Sequence, residues 1–477
     1  MKYNFYILSA FMFLIVSINA EQKKPNIIIF FADDLGYGEL GCQGNDEVPT
    51  PHIDSIAKNG VRFTDGYVTA PVCAPSRAGF MSGRHQSRFG WNINVMPHTI
   101  PHSEFGIPSS ETTIAERMKG AGYRTGLIGK WHLGSRKDFN PVHHGFDYFF
   151  GFAHEGRYFV RPPYQGATSL IRKKKLPIGA QNHRWYSPEK KLIYHDIMRS
   201  DEPRYDLHNP MLRGEDIVEE KRYLTDAFTD EALQFIDREK EKPFFLFLSY
   251  NAVHSPLQGA DAYMEKMKHI SDIHRRIFAA MLSNLDDSIG TVLAKLREEK
   301  LEENTLIFFL SDNGGPTKEL TSSNSPLKGF KGQFFEGGIR VPFLAQWKGT
   351  IPAGQTYKHP VMSLDIYASA AAQAGLKLTS KETDGVDLVP FLKEQKTAIP
   401  HKQLFWDFKT DGAFREGDWK IVKFKNKWSL FNLAKDISEE NNLSKKEPEK
   451  FKDLLAKWTA LRETMPVYKP LKRTKKK

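Results

Sequence analysis

The residues able to do chemistry sit in a few short clusters. Cys73 opens the run Cys73-Ala74-Pro75-Ser76-Arg77, and the chain has one other cysteine, Cys42. This segment is expected to pass through Pro75 into a helix starting at Ser76-Arg77-Ala78-Gly79, because Pro suits a first turn and Ser a cap. A thiol beside free backbone N–H groups and a guanidinium lies where negative charge is favoured. Taken alone, such a cysteine reads as half of a disulfide or as a buried thiol. Asp33-Asp34 and Asp312-Asn313 each follow an apolar run. If both runs are sheet strands, these oxygen donors can converge on one hard cation, Ca²⁺ or Mg²⁺ rather than zinc. Gly129-Lys130-Trp131-His132-Leu133-Gly134 brings a fixed positive charge, Lys130, and a titratable base, His132. His254 precedes Ser255-Pro256, and Lys331 stands in the glycine-rich run Lys331-Gly332-Gln333-Phe334-Phe335-Glu336-Gly337-Gly338. Together these types offer oxygen donors for a hard cation, fixed positive charge and a titratable base.

Strands and helices must alternate to position them. Asn26 to Phe31, Pro243 to Tyr250 and Thr305 to Leu310 are short continuous apolar runs, as in strands buried on both faces. Arg124 to Gly129 is a further strand. Thr112 to Gly120, Tyr223 to Lys240 and Arg275 to Lys300 carry helical periodicity. The alternation predicts an α/β fold: a large, mainly parallel sheet sandwiched by helices. From Gln403 to Phe431 short aromatic strands separated by tight turns predict a small C-terminal antiparallel sheet, with one helix over Pro448 to Glu463. Residues 139–222, rich in Pro, Tyr, Arg, Lys and His, are expected to be an irregular insertion of loops facing substrate. The expected organisation is a signal peptide over 1–20, a catalytic α/β domain over 21–395, an α+β subdomain over 396–470 and a basic tail over 471–477.

The chain has 477 residues, a net charge of +11 and 40% hydrophobic residues, with mean hydropathy −0.49. This suits a globular protein acting on an acidic substrate or polyanion. No zinc-ligand spacing, basic helix or aromatic RNA-binding run supports nucleic acid. The apolar run from Ile7 to Ile18 is too short to span a bilayer comfortably, so export to the periplasm or medium without stable membrane insertion is expected. If Cys73 is chemically converted, Cys42 is left as a buried thiol.

The Cys-x-Pro-Ser-Arg run resembles the maturation signature of the type I, formylglycine-dependent sulfatases of the alkaline phosphatase-like superfamily. Gly79-Phe80-Met81-Ser82-Gly83-Arg84 is similar to the second half of that signature, with Ser82 where threonine is more usual. Asp33-Asp34, Gly129 to Gly134, His254-Ser255-Pro256, Asp312-Asn313-Gly314 and Lys331 to Gly338 follow in the family's order. Arg415 to Lys420 and Leu430 to Leu433 resemble its second subdomain, departing from the usual Asp-Pro at Leu433-Ala434-Lys435-Asp436. The resemblance thus covers nearly the whole chain after the leader.

What it implies is a sulfuric ester hydrolase in which a maturation enzyme (formylglycine-generating or anaerobic sulfatase-maturating) converts Cys73 to formylglycine. One Ca²⁺ would be held by Asp33, Asp34, Asp312, Asn313 and an oxygen of modified Cys73. Arg77 and Lys130 would position the hydrated aldehyde, His132 would act as base in its regeneration, and His254 and Lys331 would engage sulfate and assist the leaving oxygen. A hydrate has one hydroxyl to attack sulfur and a second to expel sulfate, which a serine would lack. The basic, aromatic insertion favours a sulfated polysaccharide or its oligosaccharides, algal (ulvan, carrageenan) or glycosaminoglycan. His143, Arg157, His183 and Arg184 are candidate substrate contacts. The alternatives are a phosphonate monoester or phosphodiester hydrolase of the same superfamily, and a non-catalytic binder of sulfated glycans.

Overall fold

A computed structural model describes residues 24–95 and 105–466. The expected leader and basic tail lie outside the described residues. Among those described, no helix is long and apolar enough to cross a membrane.

The centre of the molecule is a ten-stranded sheet. Four of its strands, Arg124–Lys130, Phe244–Ser249, Asn26–Ala32 and Thr305–Ser311, lie side by side in that order and all run parallel. Their near-continuous apolar sequence is what a doubly covered sheet requires. Along Asn26–Ala32 successive side chains enter opposite cores. Ile28 and Phe30 pack with the helices Leu224–Glu239 and Ile273–Glu298. Ile27, Ile29 and Phe31 pack with Cys73–Ser82, Ile114–Gly120 and Leu364–Gln373. Phe343–Gln346 then pairs antiparallel to Thr305–Ser311, so the sheet is mixed towards its edge.

A separate four-stranded antiparallel sheet comprises Gln403–Phe408, Asp411–Glu416, Trp419–Phe424 and Lys427–Asn432. Period-two alternation gives it two apolar faces. Phe414, Ile421 and Leu430 meet Leu454 of the helix Pro448–Glu463. Trp406, Ala413, Val422 and Phe431 pack on Tyr67, Val68 and Ile339 of the main body. The predicted fold class is therefore the observed one.

Three local expectations need correction. The helix at the cysteine starts at Cys73, not Ser76, and spans Cys73–Ser82. Pro75 fits inside the first turn because it needs no N–H acceptor there, and Ser76 already lies within the helix. The helix expected from Thr112 starts at Ile114, where Thr113 and Glu116 close a capping box. Finally, the 139–222 stretch is not loops alone. Ala167–Arg172, Arg184–Tyr186 and Leu192–His195 join Leu257–Ala260 in a second four-stranded sheet. These strands are too short, and too polar on one face, to show a period in sequence.

Candidate active site

Parallel pairing brings the carboxyl ends of the four central strands to one rim. Ala32 is opposite Ser311, Phe31 opposite Ser249, and Ser249 opposite Gly129. The residues that follow, Asp33-Asp34 and Asp312-Asn313, and the last residue of the Arg124–Lys130 strand, Lys130, therefore meet. The helix Cys73–Ser82 aims its first residue at the same rim. Ligand atoms of Asp33, Asp34, Cys73 and Asp312 all lie within 4.8 Å of one another. Cys73 Sγ is 3.6 Å from Asp33 Oδ1. Both cysteines are free, and Cys42 is only partly buried, contrary to the expectation of a buried thiol.

Cations balance these acids. Lys130 Nζ donates to Asp33 Oδ2 at 2.6 Å. Lys331 Nζ lies 2.7 Å from Asp34 Oδ1. Arg77 Nε donates to Asp312 Oδ2 at 2.9 Å, and Arg77 Nη1 to Ser249 Oγ at 2.7 Å. Burial works to raise the Asp34 pKa, but the Lys331 charge, with hydrogen bonds from Lys331 and Asn313, outweighs it and holds it at about 2. Burial, reinforced by the Asp33 charge, pushes Asp312 up to about 6. The donor set fits an oxygen-seeking divalent ion. Three carboxylates converge, Asn313 Nδ2 donates to Asp34 Oδ1 at 2.7 Å, and Asn313 Oδ1 is buried with no hydrogen-bond partner among the described residues. An unsatisfied amide oxygen beside crowded carboxylates is costly unless a cation takes it.

The two histidines differ in their surroundings. His132 Nε2–H donates to the Val95 carbonyl at 2.7 Å, which leaves the lone pair on Nδ1, and Nδ1 has no partner among the described residues. Burial, with the Lys130 charge adding, holds His132 well below its ordinary pKa, so the ring is neutral. His254 Nδ1–H donates to the Ser255 carbonyl at 2.7 Å, and Nε2 lies 3.6 Å from Asp34 Oδ2. Burial lowers His254 to about 3 despite the Asp34 charge.

The site opens into a cleft of about 630 Å³, within the usual range of small-molecule sites. Cys73, His254 and Lys331 line its floor, whereas Arg77, Lys130 and His132 stand behind it. None of the four expected substrate contacts lines this cleft. His143 is exposed and pairs with Glu215 at 2.7 Å. His183 is exposed and pairs with Asp196 at 2.9 Å. Arg184 lines a different groove beside Asp272, and buried Arg157 donates to the Asn209 carbonyl. The insertion still supplies the wall, through Glu155, Arg172, Glu202, Arg204 and His208. Arg172 is tied to Glu202 at 2.7 Å and Glu319 at 3.1 Å. Sequence reading missed Glu155, Arg204 and His208. A single acid, arginine or histidine in an aperiodic polar stretch has no pattern that separates it from a solvated one.

Gly129 explains part of the Gly-Lys-Trp-His run. Its φ is +111°, and a Cβ there would stand 1.9 Å from the Ser249 carbonyl oxygen. Gly129→Ala is expected to destabilise the protein by about 2–5 kcal/mol, from backbone strain and a clash in the sheet. It should also displace Lys130. An unchanged unfolding midpoint would refute this.

Comparison with known proteins identifies this arrangement. The Sulfatase family model matches residues 25–376, and a model described as N-sulphoglucosamine sulphohydrolase, C-terminal, matches residues 330–464. Steryl-sulfatase of Homo sapiens is 35% identical over 430 residues, covering 80% of this chain and 72% of its own. N-acetylgalactosamine-6-sulfatase of Sus scrofa is 30% identical over 447 residues, covering 90% of this chain and 78% of its own. The solved structure of Ps i-CgsB in complex with k-i-k-neocarrahexaose superposes with a TM-score of 0.81 at 33% identity, covering 95% of this chain and 96% of that one. With a family match across most of its length, seated on this acidic rim, the chain belongs to the sulfatase family and is a sulfuric ester hydrolase.

Proposed function

We propose that this sulfatase is exported and removes sulfate esters from a sulfated polysaccharide or its oligosaccharides, using Ca²⁺ and a formylglycine made from Cys73 by a maturation enzyme. The observation that carries the reading is the convergence of Cys73 with three buried carboxylates, two buried cations (Arg77 and Lys130) and the cleft-lining Lys331 at the floor of a cleft of about 630 Å³. The likeness to a structure solved with a carrageenan hexasaccharide, over 95% of this chain, supports carbohydrate over a small aryl ester.

In this reading Asp33, Asp34, Asp312 and Asn313 hold the calcium ion, which when bound neutralises sulfuryl oxygens as charge develops on them. Modified Cys73 supplies a hydrated aldehyde as nucleophile. Arg77 and Lys130, buried and held by Asp312 and Asp33, keep positive charge fixed behind that residue. His132 takes a proton at Nδ1, its free nitrogen. Lys331 and His254 face the cleft where the sugar oxygen departs. Lys331 remains protonated, since the Asp34 charge outweighs burial, whereas His254 rests neutral. Both stand where they can engage sulfate and assist the departing oxygen.

The test is sulfate release from a panel of carrageenan, ulvan and glycosaminoglycan oligosaccharides before and after chelation. Turnover of at least one member, lost on chelation by about 100-fold or more and restored by Ca²⁺, is expected. Full activity in chelator would reject the metal assignment. Turnover of a phosphodiester but of no sulfate ester would reject the sulfated-carbohydrate reading.

A further inference from the structure

One buried acid at the cleft has no assigned role. Glu155 follows the strand Tyr148–Phe152, is 6% exposed and lines the same cleft as Cys73, His254 and Lys331. Neither of its carboxylate oxygens has a hydrogen-bond partner among the described residues. The loop that carries it is nevertheless held firmly. Asn209 Oδ1 accepts from the backbone N–H groups of Ala153 at 3.2 Å and His154 at 3.1 Å, and Asn209 Nδ2 donates to the Gly156 carbonyl at 2.7 Å. The backbone N–H groups of Trp131 and His132 donate to the Phe152 and Ala153 carbonyls at 3.0 and 3.1 Å. The loop is thus clamped on both sides of Glu155 and tied to the segment that carries Lys130 and His132.

A rigidly placed, desolvated carboxylate with no partner costs stability, so its position is explained by a ligand that satisfies it. Sulfate does not, because like charges repel. A neutral hydroxyl donor does.

We propose that Glu155 accepts a hydrogen bond from a free ring hydroxyl next to the sulfated carbon, and so selects carbohydrate sulfates whose neighbouring position is unsulfated. The inference rests on the carbohydrate reading above. A sulfate on the neighbouring carbon would bring a second anion against Glu155 and be rejected. Burial pushes the Glu155 carboxyl up to about 7 against the nearby charges of Lys130, Arg172 and Lys331. The free protein therefore loses stability relative to a Glu155→Leu variant as pH rises from about 4.5 to about 7, where the unfolded chain has released its proton but the folded one has not.

The experiment measures binding in the inactive Cys73→Ala background, with and without Glu155→Leu, using the panel oligosaccharide that the mature enzyme hydrolyses fastest and inorganic sulfate. Loss of one hydrogen bond to a charged acceptor is expected to weaken oligosaccharide binding about 10- to 100-fold, with sulfate affinity within about threefold. In the mature enzyme, selectivity for that oligosaccharide over 4-nitrophenyl sulfate should fall by a similar factor. The Glu155→Leu protein should melt no lower than its parent at pH 8. Equal oligosaccharide affinity in the two proteins overturns the inference alone. Equal loss of oligosaccharide and sulfate affinity, or a lower melting point, makes Glu155 structural and also overturns it. Should the mature enzyme cleave 4-nitrophenyl sulfate but no oligosaccharide of the panel, the carbohydrate reading falls and this inference with it.

Discussion

Cys73→Ala is expected to reduce sulfate release by about 10⁴-fold or more while leaving the unfolding midpoint close to that of the parent protein. The size follows from what the residue touches. Cys73 is 1% exposed, stands at the first position of the Cys73–Ser82 helix and shares the acidic rim with Asp33, Asp34 and Asp312. Removing it deletes the one group there that can become a nucleophile, whereas charge stabilisation alone leaves a small residual rate. The thiol as such is a poor substitute, since burial pushes its pKa well above the ordinary value and the Asp312 charge adds to this. Retained activity in Cys73→Ala would remove the basis for the mechanism. Mass analysis of the peptide spanning Cys73 from active enzyme provides the companion measurement, and an unmodified thiol there would be equally damaging.

Lys420→Met is expected to cost about 3–5 kcal/mol, because it leaves two buried carboxylates without their shared cation. Lys420 lies in the small sheet and is 0% exposed. Its Nζ donates to Glu336 Oε1 at 2.7 Å and to Glu439 Oε1 at 3.0 Å. Glu336 also accepts from Tyr67 Oη at 2.6 Å and pairs with Arg340 at 3.0 Å. Burial opposes ionisation of Glu336, but Lys420 and Arg340 hold it at about 2, while burial lifts Glu439 to about 7. The network joins the small sheet to the turn that carries Lys331, and Glu439 Oε2 accepts from the Glu336 backbone N–H at 2.6 Å. A lower thermal midpoint for Lys420→Met, partly recovered by adding Glu439→Gln, is the expected pattern. An unchanged midpoint would show that the pairing contributes nothing to how the two sheets are held together.

The same network shows how motifs far apart in sequence acquire a physical meaning. Lys331 to Gly338 and Arg415 to Lys420 were readable only as two short runs. In the folded chain Glu336 from the first meets Lys420 from the second, and Arg415 reaches Asp65 at 2.7 Å. The acidic pairs were legible for a simpler reason. Each follows a continuous apolar strand, and in a parallel sheet strand ends are where polar side chains escape the core. The cleft wall was not legible, because it is assembled from isolated polar residues whose burial depends on neighbours distant in the chain.

The order of residues along this chain thus settled its fold class, the strands buried on both faces, and the acidic, basic and thiol groups available at their ends, since local periodicity and residue type suffice for these. Folding in three dimensions settled the rest: which strands lie adjacent, that the cysteine heads its helix, and that Glu155 rather than His143 or His183 lines the cleft with Cys73. Those outcomes depend on long-range pairing and on which side chains lose water, and neither quantity is encoded in the spacing of neighbouring residues.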